Sequence, residues 1–427
     1  MLPRMLITQT VLWAASEVVS IGCTGTVPPM ADSSKSPDDA QFIDVEDAFD
    51  AATNTPTDSI DADFSTVDVV VSLESIAVKH DDLRTTLASW TNEPARIHNG
   101  DWVGDYGDAP MYGPSYDLRQ WAATGIDFHL QRALMSLEHN QQLVKAATSD
   151  LSVLMSQTES VAMALLSLLE AGLILPTDEY HVAADALLDV VDALSVGYGD
   201  YLAIDVGAFA ANTYGPTSLT SMIAIMHLQH AMAYPEHDLQ HSLRRGTQVL
   251  DKIHELTWDT TSSTYRISPN NEKLDLYPSA TTMLAMGRAY ELTGESKWST
   301  RISNTYVGIQ ALKAQTGDHY HSPYSAEYMG ATDDDYSTLS SQNYLMLALL
   351  LGGFATQNTE LWLDIDRILG FLKSHLLIDG YLVHHWMNGR PASPFDKEYL
   401  CTGCNLQTLY LFTLLNDYHN AGRRSPW

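Results

Sequence analysis

The sequence predicts an all-α protein in which six helical hairpins close into a ring. Long apolar runs alternate with amphipathic runs from about residue 67 onward. A tyrosine precedes most of the apolar runs at a regular spacing, which is typical of a repeat architecture. With only six units and no polar capping repeat, a closed ring is favoured over an open solenoid. The apolar helices would form an inner ring and the amphipathic helices an outer ring.

The first 23 residues are predicted to be an export signal. Arg4 precedes an apolar stretch, Met5 to Gly22, which is too short and too interrupted to span a bilayer. The letters "SIGC" before Cys23 resemble a bacterial lipoprotein signal, in which the cysteine is lipidated. A plain secretory signal is the alternative, because Glu17 interrupts the apolar stretch. We expect an exported protein, lipid-anchored at Cys23 on the outer membrane or surface of a bacterium.

The charge of the chain limits its partners. Residues 24–64 are rich in Asp, Ser, Thr and Pro with one cation, Lys35, which predicts a disordered acidic tether. The whole chain carries a formal net charge of -30. We therefore expect no nucleic-acid partner, since phosphate binding needs a basic surface, and membrane contact only through the lipid anchor.

The repeat places one domain at 65–427. The Tyr-led segments are "YGPSYDL", "YGPTSLT", "YPSATTM", "YSTLSSQ" and "YLCTGCN", which begin at Tyr112, Tyr214, Tyr277, Tyr336 and Tyr399. The last three gaps are 63, 59 and 63 residues, and the first gap, 102, leaves room for one more unit. We assign the inner helix of that unit to Ser156–Gly172, "SQTESVAMALLSLLEAG". Pro, Ser and Thr in these segments favour helix starts.

Amphipathic helices fill the intervals. In "WLDIDRILGFLKSHLL" one face is formed by apolar residues at three- and four-residue steps: Trp362, Ile365, Ile368, Leu369 and Leu372. With the helix "LESIAVKHDDLRTTLASW" before the first Tyr-led segment, the count is twelve helices in six hairpins. We interpret the segments between outer and inner helices as polar turns that carry aromatic residues.

Two stretches carry a family resemblance. "PSATTMLAMGRAYELTGESKW" and "TDDDYSTLSSQNYLMLALL" resemble inner-helix patterns of the six-hairpin glycosidase superfamily, whose fold is the (α/α)6 toroid. The resemblance covers about residues 70–420 and matches no single family's signature in full. The resemblance alone does not fix the reaction or the substrate. The six-unit pattern, together with the acidic and aromatic residues predicted at one end of the ring, favours a carbohydrate as substrate or ligand, and a glycoside hydrolase or polysaccharide lyase as the function. The alternatives are a non-catalytic binding lipoprotein and a sugar isomerase or epimerase.

Acidic residues precede two of the inner helices. In the toroid the inner-helix N-termini meet at one end of the ring, called the mouth here. Asp334 and Asp335, before Tyr336, and Glu398, before Tyr399, are our predicted acid/base residues. Closely packed carboxylates shift one another's pKa, and a hydrolase needs a donor and a base or nucleophile. Capping of helix N-termini is the alternative role for these acids.

A second set of residues fits lyase chemistry. His321, Tyr324 and His385 are predicted as a general base and acid of the kind that polysaccharide lyases of this architecture use. Arg390 would pair with a substrate carboxylate. His319 and His321 could also bind a metal with an acid, but no third ligand stands at a fixed spacing.

Aromatic residues on the turns and helix starts predict a sugar-binding cleft. The predicted contacts are Trp102, Tyr112, Tyr214, Tyr336, Trp386 and Tyr399. Packing within the repeat is the alternative for the tyrosines. We predict no cofactor and no metal ligands, because "TDDD" and "NGDWVGDYGD", which could bind calcium, match no EF-hand spacing.

Two of the three cysteines, Cys401 and Cys404, form a C-x-x-C motif at the start of the sixth inner helix. Other units have Ser, Thr or Ala there, which favours packing with an optional local disulfide. A redox pair is the alternative, because a helix N-terminus lowers a thiol pKa. No second C-x-x-C exists to complete a zinc site.

Overall fold

A computed structural model describes residues 72–92, 97–98, 101–102, 109–156, 158–175, 179–195, 217–328, 336–387, 389–392 and 401–421. The predicted export signal (1–23), the predicted tether (24–64) and Cys23 lie outside these residues, so they stay predictions. Among the described helices, none combines the length and the apolar character that crossing a bilayer requires.

Six largely buried helices form the inner ring. They are α3 (Ala109–Thr124), α6 (Thr158–Ile174), α8 (Thr217–Ala233), α10 (Leu276–Thr293), α13 (Leu339–Thr356) and α15 (Thr402–Asn420). Each packs against the next in chain order, and α15 returns to pack against α3. The ring is therefore closed, and the predicted fold of six helical hairpins in two rings is confirmed.

The outer ring is built from the amphipathic helices. These are α1 (Leu73–Lys79) with α2 (Asp81–Thr91), α4 (Asp127–Ser149), α7 (Glu179–Ser195), α9 (Pro235–Thr257), α11 (Ser296–Ile309) and α14 (Glu360–Phe371). Two short helices, α5 (Leu151–Ser156) and α12 (Pro323–Tyr328), lie in connections, with a 3-10 turn at Gln310–Leu312 and a π-helical turn at Leu372–Leu376. On α14, Ile365, Ile368 and Leu369 are fully buried against the inner ring, as their spacing predicts.

The connections differ from the predicted polar turns, because several contain short antiparallel strands. The strands are β1 (Ile97–His98), β2 (Asp101–Trp102), β3 (Trp258–Asp259), β4 (Thr264–Ser268), β5 (Asn271–Leu274), β6 (Ser337–Thr338), β7 (Leu377–Ile378), β8 (Tyr381–Leu382), β9 (His385–Met387) and β10 (Arg390–Ala392). Strand β6 pairs with β9, and β9 pairs with β10. This small sheet fixes the segment after α14 against the start of α13.

Small residues allow neighbouring helices to approach closely, both within the inner ring and between the two rings. A Cβ atom built on Gly287 of α10 would lie 2.6 Å from the Cβ of Leu351 on α13. A Cβ on Gly353 would lie 2.0 Å from the indole nitrogen of Trp362 on α14. Both distances are below normal contact, so the glycines set the spacing of these helices.

Side chains fill the axis of the ring. The Tyr344 hydroxyl on α13 donates to the Met163 sulfur on α6, at 3.8 Å. Because these are the fifth and second inner helices, the contact spans the ring. Tyr112 of α3 packs against Tyr344 and Tyr410, with ring centroids 6.5 and 5.6 Å apart. The interior at this level is therefore a packed aromatic core.

The end of the ring opposite the mouth, where the inner helices terminate, is called the base here. It holds a network of buried charges. Glu170 of α6 is fully buried and accepts hydrogen bonds from Arg119 of α3 and from the Gln229 amide of α8, the latter at 2.7 Å. Arg119 also pairs with Asp417 of α15. Burial raises the pKa of Asp417 above its usual value. The network therefore ties four inner helices together.

Candidate functional site

The mouth lies at the N-terminal ends of the inner helices. Along the chain, one outer helix lies between every inner helix and the next inner helix. The six inner helices therefore run in the same direction, and their N-termini meet at one end. The described side chains there come mainly from the starts of α10, α13 and α15 and from strands β6 and β9.

Three polar side chains form a hydrogen-bonded chain at the start of α13. The Tyr336 hydroxyl lies 2.8 Å from His385 Nδ1, and His385 Nε2 lies 2.8 Å from His384 Nδ1. The backbone explains this proximity, because Thr338 of β6 pairs with His385 of β9. The Leu339 N–H also donates to the His384 carbonyl at 2.7 Å. Residues almost fifty positions apart in the chain are thus brought together.

The hydrogen bonds that join these three side chains can run in either of two directions. In one, Tyr336 donates to His385, which donates to His384. In the other, each hydrogen bond is reversed and the Tyr336 oxygen accepts. Passing between the two moves a proton along the chain without a lasting charge.

Burial keeps all three groups neutral. It lowers the pKa of His384 to about 4. Burial, with His384 as a neighbour, holds the pKa of His385 well below its usual value. Burial raises the pKa of Tyr336, and the charge of Asp275 raises it further. At neutral pH the site therefore contains two uncharged imidazoles and a protonated phenol.

Asp275 is a site residue that the sequence analysis missed. It precedes α10, is fully buried, and accepts a hydrogen bond from Ser325 Oγ at 2.8 Å. Its position within the repeat unit could have identified it in the sequence. Asp275 stands two residues before Tyr277, as Asp334 stands two residues before Tyr336. Asp275 is thus a carboxylate at the mouth that occupies, in its own repeat unit, the position that Asp334 occupies in the next unit.

Cys401 and Cys404 form a disulfide at the start of α15. Both are buried, and the Cys401 sulfur accepts the Cys404 N–H at 3.0 Å, which caps the helix. A ring nitrogen of His384 and the two sulfurs lie within 4.8 Å of one another. The disulfide is therefore a wall of the same site.

The predicted group around His321 lies beside the hydrogen-bonded side chains of Tyr336, His385 and His384. His319 stacks on Phe371, with ring centroids 4.0 Å apart, and lies edge-on to Trp386. His321 is partly exposed, and its N–H donates to the Leu312 carbonyl at 2.7 Å. Trp386 is buried against Phe371, so sugar stacking on Trp386 would require a face that protein atoms cover in this structure.

Tyr320, between these histidines, belongs to a separate cluster. Its hydroxyl donates to the buried Asp364 at 2.5 Å, and the Tyr306 hydroxyl donates to the same oxygen at 2.9 Å. Lys313 and Arg367 contact the other oxygen at 2.5 and 2.7 Å. Burial opposes ionisation of Asp364, but these hydrogen bonds hold its pKa below the usual value. The cluster holds the outer ring together.

The other predicted residues have varied positions. Tyr112 is buried, and its hydroxyl accepts a hydrogen bond from the Gln407 amide at 2.9 Å. Arg390 is exposed on β10, while Trp102 lies on β2 and Tyr324 on α12. Five predicted site residues lie outside the described residues and stay predictions: Asp334, Asp335, Glu398, Tyr214 and Tyr399.

Solved structures share this architecture. Three examples are a family 88 glycosyl hydrolase from Bacteroides vulgatus, a polysaccharide lyase, and a sugar epimerase from a ruminal bacterium. Their TM-scores are 0.57, 0.57 and 0.61, and their sequence identities are 12%, 12% and 10%. They cover 80%, 81% and 79% of this chain, and 99%, 99% and 98% of their own chains.

The chain has the (α/α)6 toroid fold. The resemblance to the six-hairpin glycosidase superfamily is thereby confirmed at the level of the fold. No protein-family model matches the chain, and a search of curated proteins finds no match. The residues of the site are therefore the evidence that bears on the reaction.

Proposed function

We propose that this protein is a carbohydrate-active enzyme that binds a sugar at the mouth and transfers a proton through Tyr336, His385 and His384. The observation that carries the proposal is the hydrogen-bonded chain of these three neutral side chains at the mouth. The named structural neighbours are a glycosyl hydrolase, a polysaccharide lyase and a sugar epimerase, and this supports a carbohydrate as the ligand.

Elimination is the reaction that best fits the described groups. A base would remove the proton on the carbon next to a substrate carboxylate. A double bond then forms as the carbon–oxygen bond breaks, and the leaving oxygen takes a proton. Tyr336 and His385 are suited to these transfers because both are neutral at pH 7. Arg390, on the strand paired with β9, would pair with the substrate carboxylate.

Hydrolysis is the other reaction in this proposal. It would use Asp334, Asp335 and Glu398 as the sequence predicts, with Asp275 as a further carboxylate. Two carboxyl groups about 5–9.5 Å apart across a cleft would be required. Both reactions also require a path for the substrate to Tyr336 and His385, because both side chains are buried.

A panel of polysaccharides and oligosaccharides, incubated with the full-length chain, tests the proposal. Ultraviolet absorbance reports an unsaturated product of elimination, reducing-end assays report hydrolysis, and solvent deuterium uptake reports epimerisation. We expect His385→Gln and Tyr336→Phe to lower an elimination rate by about 10²–10⁴. His139→Gln, an exposed histidine on α4, is the matched control and should leave it unchanged. Full activity in both site variants would show that the hydrogen-bonded chain of Tyr336, His385 and His384 takes no part in the mechanism.

A carbohydrate-binding protein without catalysis is the second candidate function. The aromatic packing of Tyr112, Tyr344 and Tyr410 across the ring axis favours it, since a filled interior leaves less room for a buried substrate. Glycan-array binding by wild type with no product in the three assays would support this function over an enzyme.

We also propose that the protein acts outside the cytoplasm, anchored through Cys23. The apolar N-terminus and the acidic segment 24–64 support this location. Cys23→Ser should move the protein from the membrane fraction to the soluble fraction of the expressing bacterium. An unchanged distribution would argue against the lipid anchor.

A further inference from the structure

A group of side chains of the types that can ligate a metal ion lies at the base of the ring, away from the mouth. His230 is near the end of inner helix α8, and His181 and Asp185 are in the first turns of outer helix α7. His237 and Ser242 are at the start of outer helix α9. The group therefore joins two outer helices to one inner helix, and the sequence analysis, which predicted no metal ligands, did not identify it.

The ligand atoms face one another. Asp185 Oδ1 lies 2.7 Å from His230 Nε2, and Asp185 Oδ2 lies 3.1 Å from His181 Nε2. One ligand atom from each of the three residues lies within 4.8 Å of the others. Bonds to Zn²⁺ of about 2.0–2.2 Å at tetrahedral angles place ligand atoms about 3.3 Å apart, so small rotations would accommodate the ion.

Both imidazoles are buried, yet neither Nε2 atom makes an aligned hydrogen bond. Asp185 faces both nitrogens as an ion-pair partner, whereas a buried ring nitrogen usually has an aligned hydrogen-bond partner. A bound cation would satisfy both nitrogens and the carboxylate together. The Asp185 side chain is 45% exposed, which gives an ion access from solvent.

Neighbouring groups orient the rings for ligation. His230 Nδ1 lies 2.8 Å from the buried Ser242 Oγ. When Nδ1 donates its proton to Ser242, the Nε2 lone pair faces Asp185, as in metal-binding histidines that are held by a second hydrogen bond. His237 stacks on His181, with ring centroids 3.7 Å apart, and holds the plane of that ring.

We propose that His181, Asp185 and His230 form a binding site for a divalent transition metal ion, and we name Zn²⁺ as the ion. Two imidazole nitrogens and one carboxylate oxygen suit Zn²⁺, whereas Ca²⁺ and Mg²⁺ prefer sites made of oxygen ligands. Water completes the coordination. The net charge of -30 raises the local concentration of cations around the chain. The ion links α7 to α8 and stabilises the base.

Metal titration of the full-length chain tests this site. The protein is purified without a histidine tag, stripped with a chelator and titrated with ZnCl₂ in a calorimeter. We expect one equivalent of tight binding and a higher Tm with Zn²⁺. Asp185→Asn and His181→Gln should each weaken Zn²⁺ binding by more than about tenfold. Loss of a residue that only orients a metal ligand typically lowers affinity by about 10–100-fold, and loss of a ligand itself should lower it at least as much. Circular dichroism checks that both variants fold.

Asp189→Asn is the matched control. Asp189 is exposed one turn further along α7, so its loss removes the same charge from the same helix without touching the group. It should bind Zn²⁺ as wild type does. Absence of stoichiometric binding to wild type would overturn the proposal. So would equal affinity in wild type, Asp185→Asn and His181→Gln.

Discussion

Glu170→Gln tests whether the charge network at the base holds the ring together. The substitution keeps the size of the side chain but removes the charge that faces Arg119, and it places an amide group among donors such as Gln229. Breaking a buried ion pair by neutralising one partner costs about 3–5 kcal/mol. Asp417 still pairs with Arg119 in the variant, which favours the lower half of that range.

The expected shift in Tm follows from the size of the protein. The predicted domain, 65–427, has 363 residues, and an unfolding entropy of about 2.1 cal/mol/K per residue gives about 0.8 kcal/mol/K. A loss in the lower half of the range, about 3–4 kcal/mol, then lowers Tm by about 4–5 °C. Urea unfolding followed by circular dichroism gives the free energy directly.

The control for this measurement is Glu138→Gln, on the exposed face of α4. We expect its free energy of unfolding to stay within about 0.5 kcal/mol of wild type. If Glu170→Gln were equally harmless, the buried charges would not stabilise the base, and the reasoning from burial and pairing would be refuted.

Three further predictions concern packing, the disulfide and pH. Gly287→Ala should destabilise by about 1–3 kcal/mol through its contact with Leu351, whereas Gly370→Ala, with open space around it, should not destabilise; equal urea midpoints would contradict this. Cys401→Ser/Cys404→Ser should cost at most about 2 kcal/mol, because the closed loop is short; a larger loss in urea unfolding would refute the loop-entropy argument. Stability should fall as pH drops from 6.5 toward 4, because the folded state resists protonation of His384. His384→Gln should reduce that fall by up to about 3 kcal/mol, and an unchanged pH profile would rule out this group as its source.

The sequence was sufficient to predict the ring because the fold repeats. Tyr277 lies in the first turn of α10 and Tyr336 stands three residues before α13, and the unit inferred between Tyr112 and Tyr214 corresponds to α6 (Thr158–Ile174). Apolar runs of this length can be buried only between neighbours on both sides, which fixes their place in the inner ring. Short strands such as β9 were missed, because three residues leave no detectable alternation.

The site was harder to predict, since its contacts join distant parts of the chain. His385 was selected as a mouth residue, but its partner Tyr336 is 49 positions earlier and is placed by the pairing of β6 with β9. Asp275 was overlooked although its register matches that of Asp334. His181 and His230 were overlooked because their proximity arises from the packing of two helices and not from spacing within one.

The two ends of the ring are stabilised in different ways, and this difference bears on function. At the base, buried charges such as Glu170 and Arg119 are paired across helices, so removing one partner is costly. At the mouth, Tyr336, His384 and His385 are neutral, and the hydrogen bond between the two histidines can run in either direction. A neutral chain can pass a proton without exposing a buried charge, whereas the base network cannot change protonation without losing an ion pair. Proton-transfer chemistry is therefore expected at the mouth, and the base, with its proposed metal site, is expected to hold the helices that frame it.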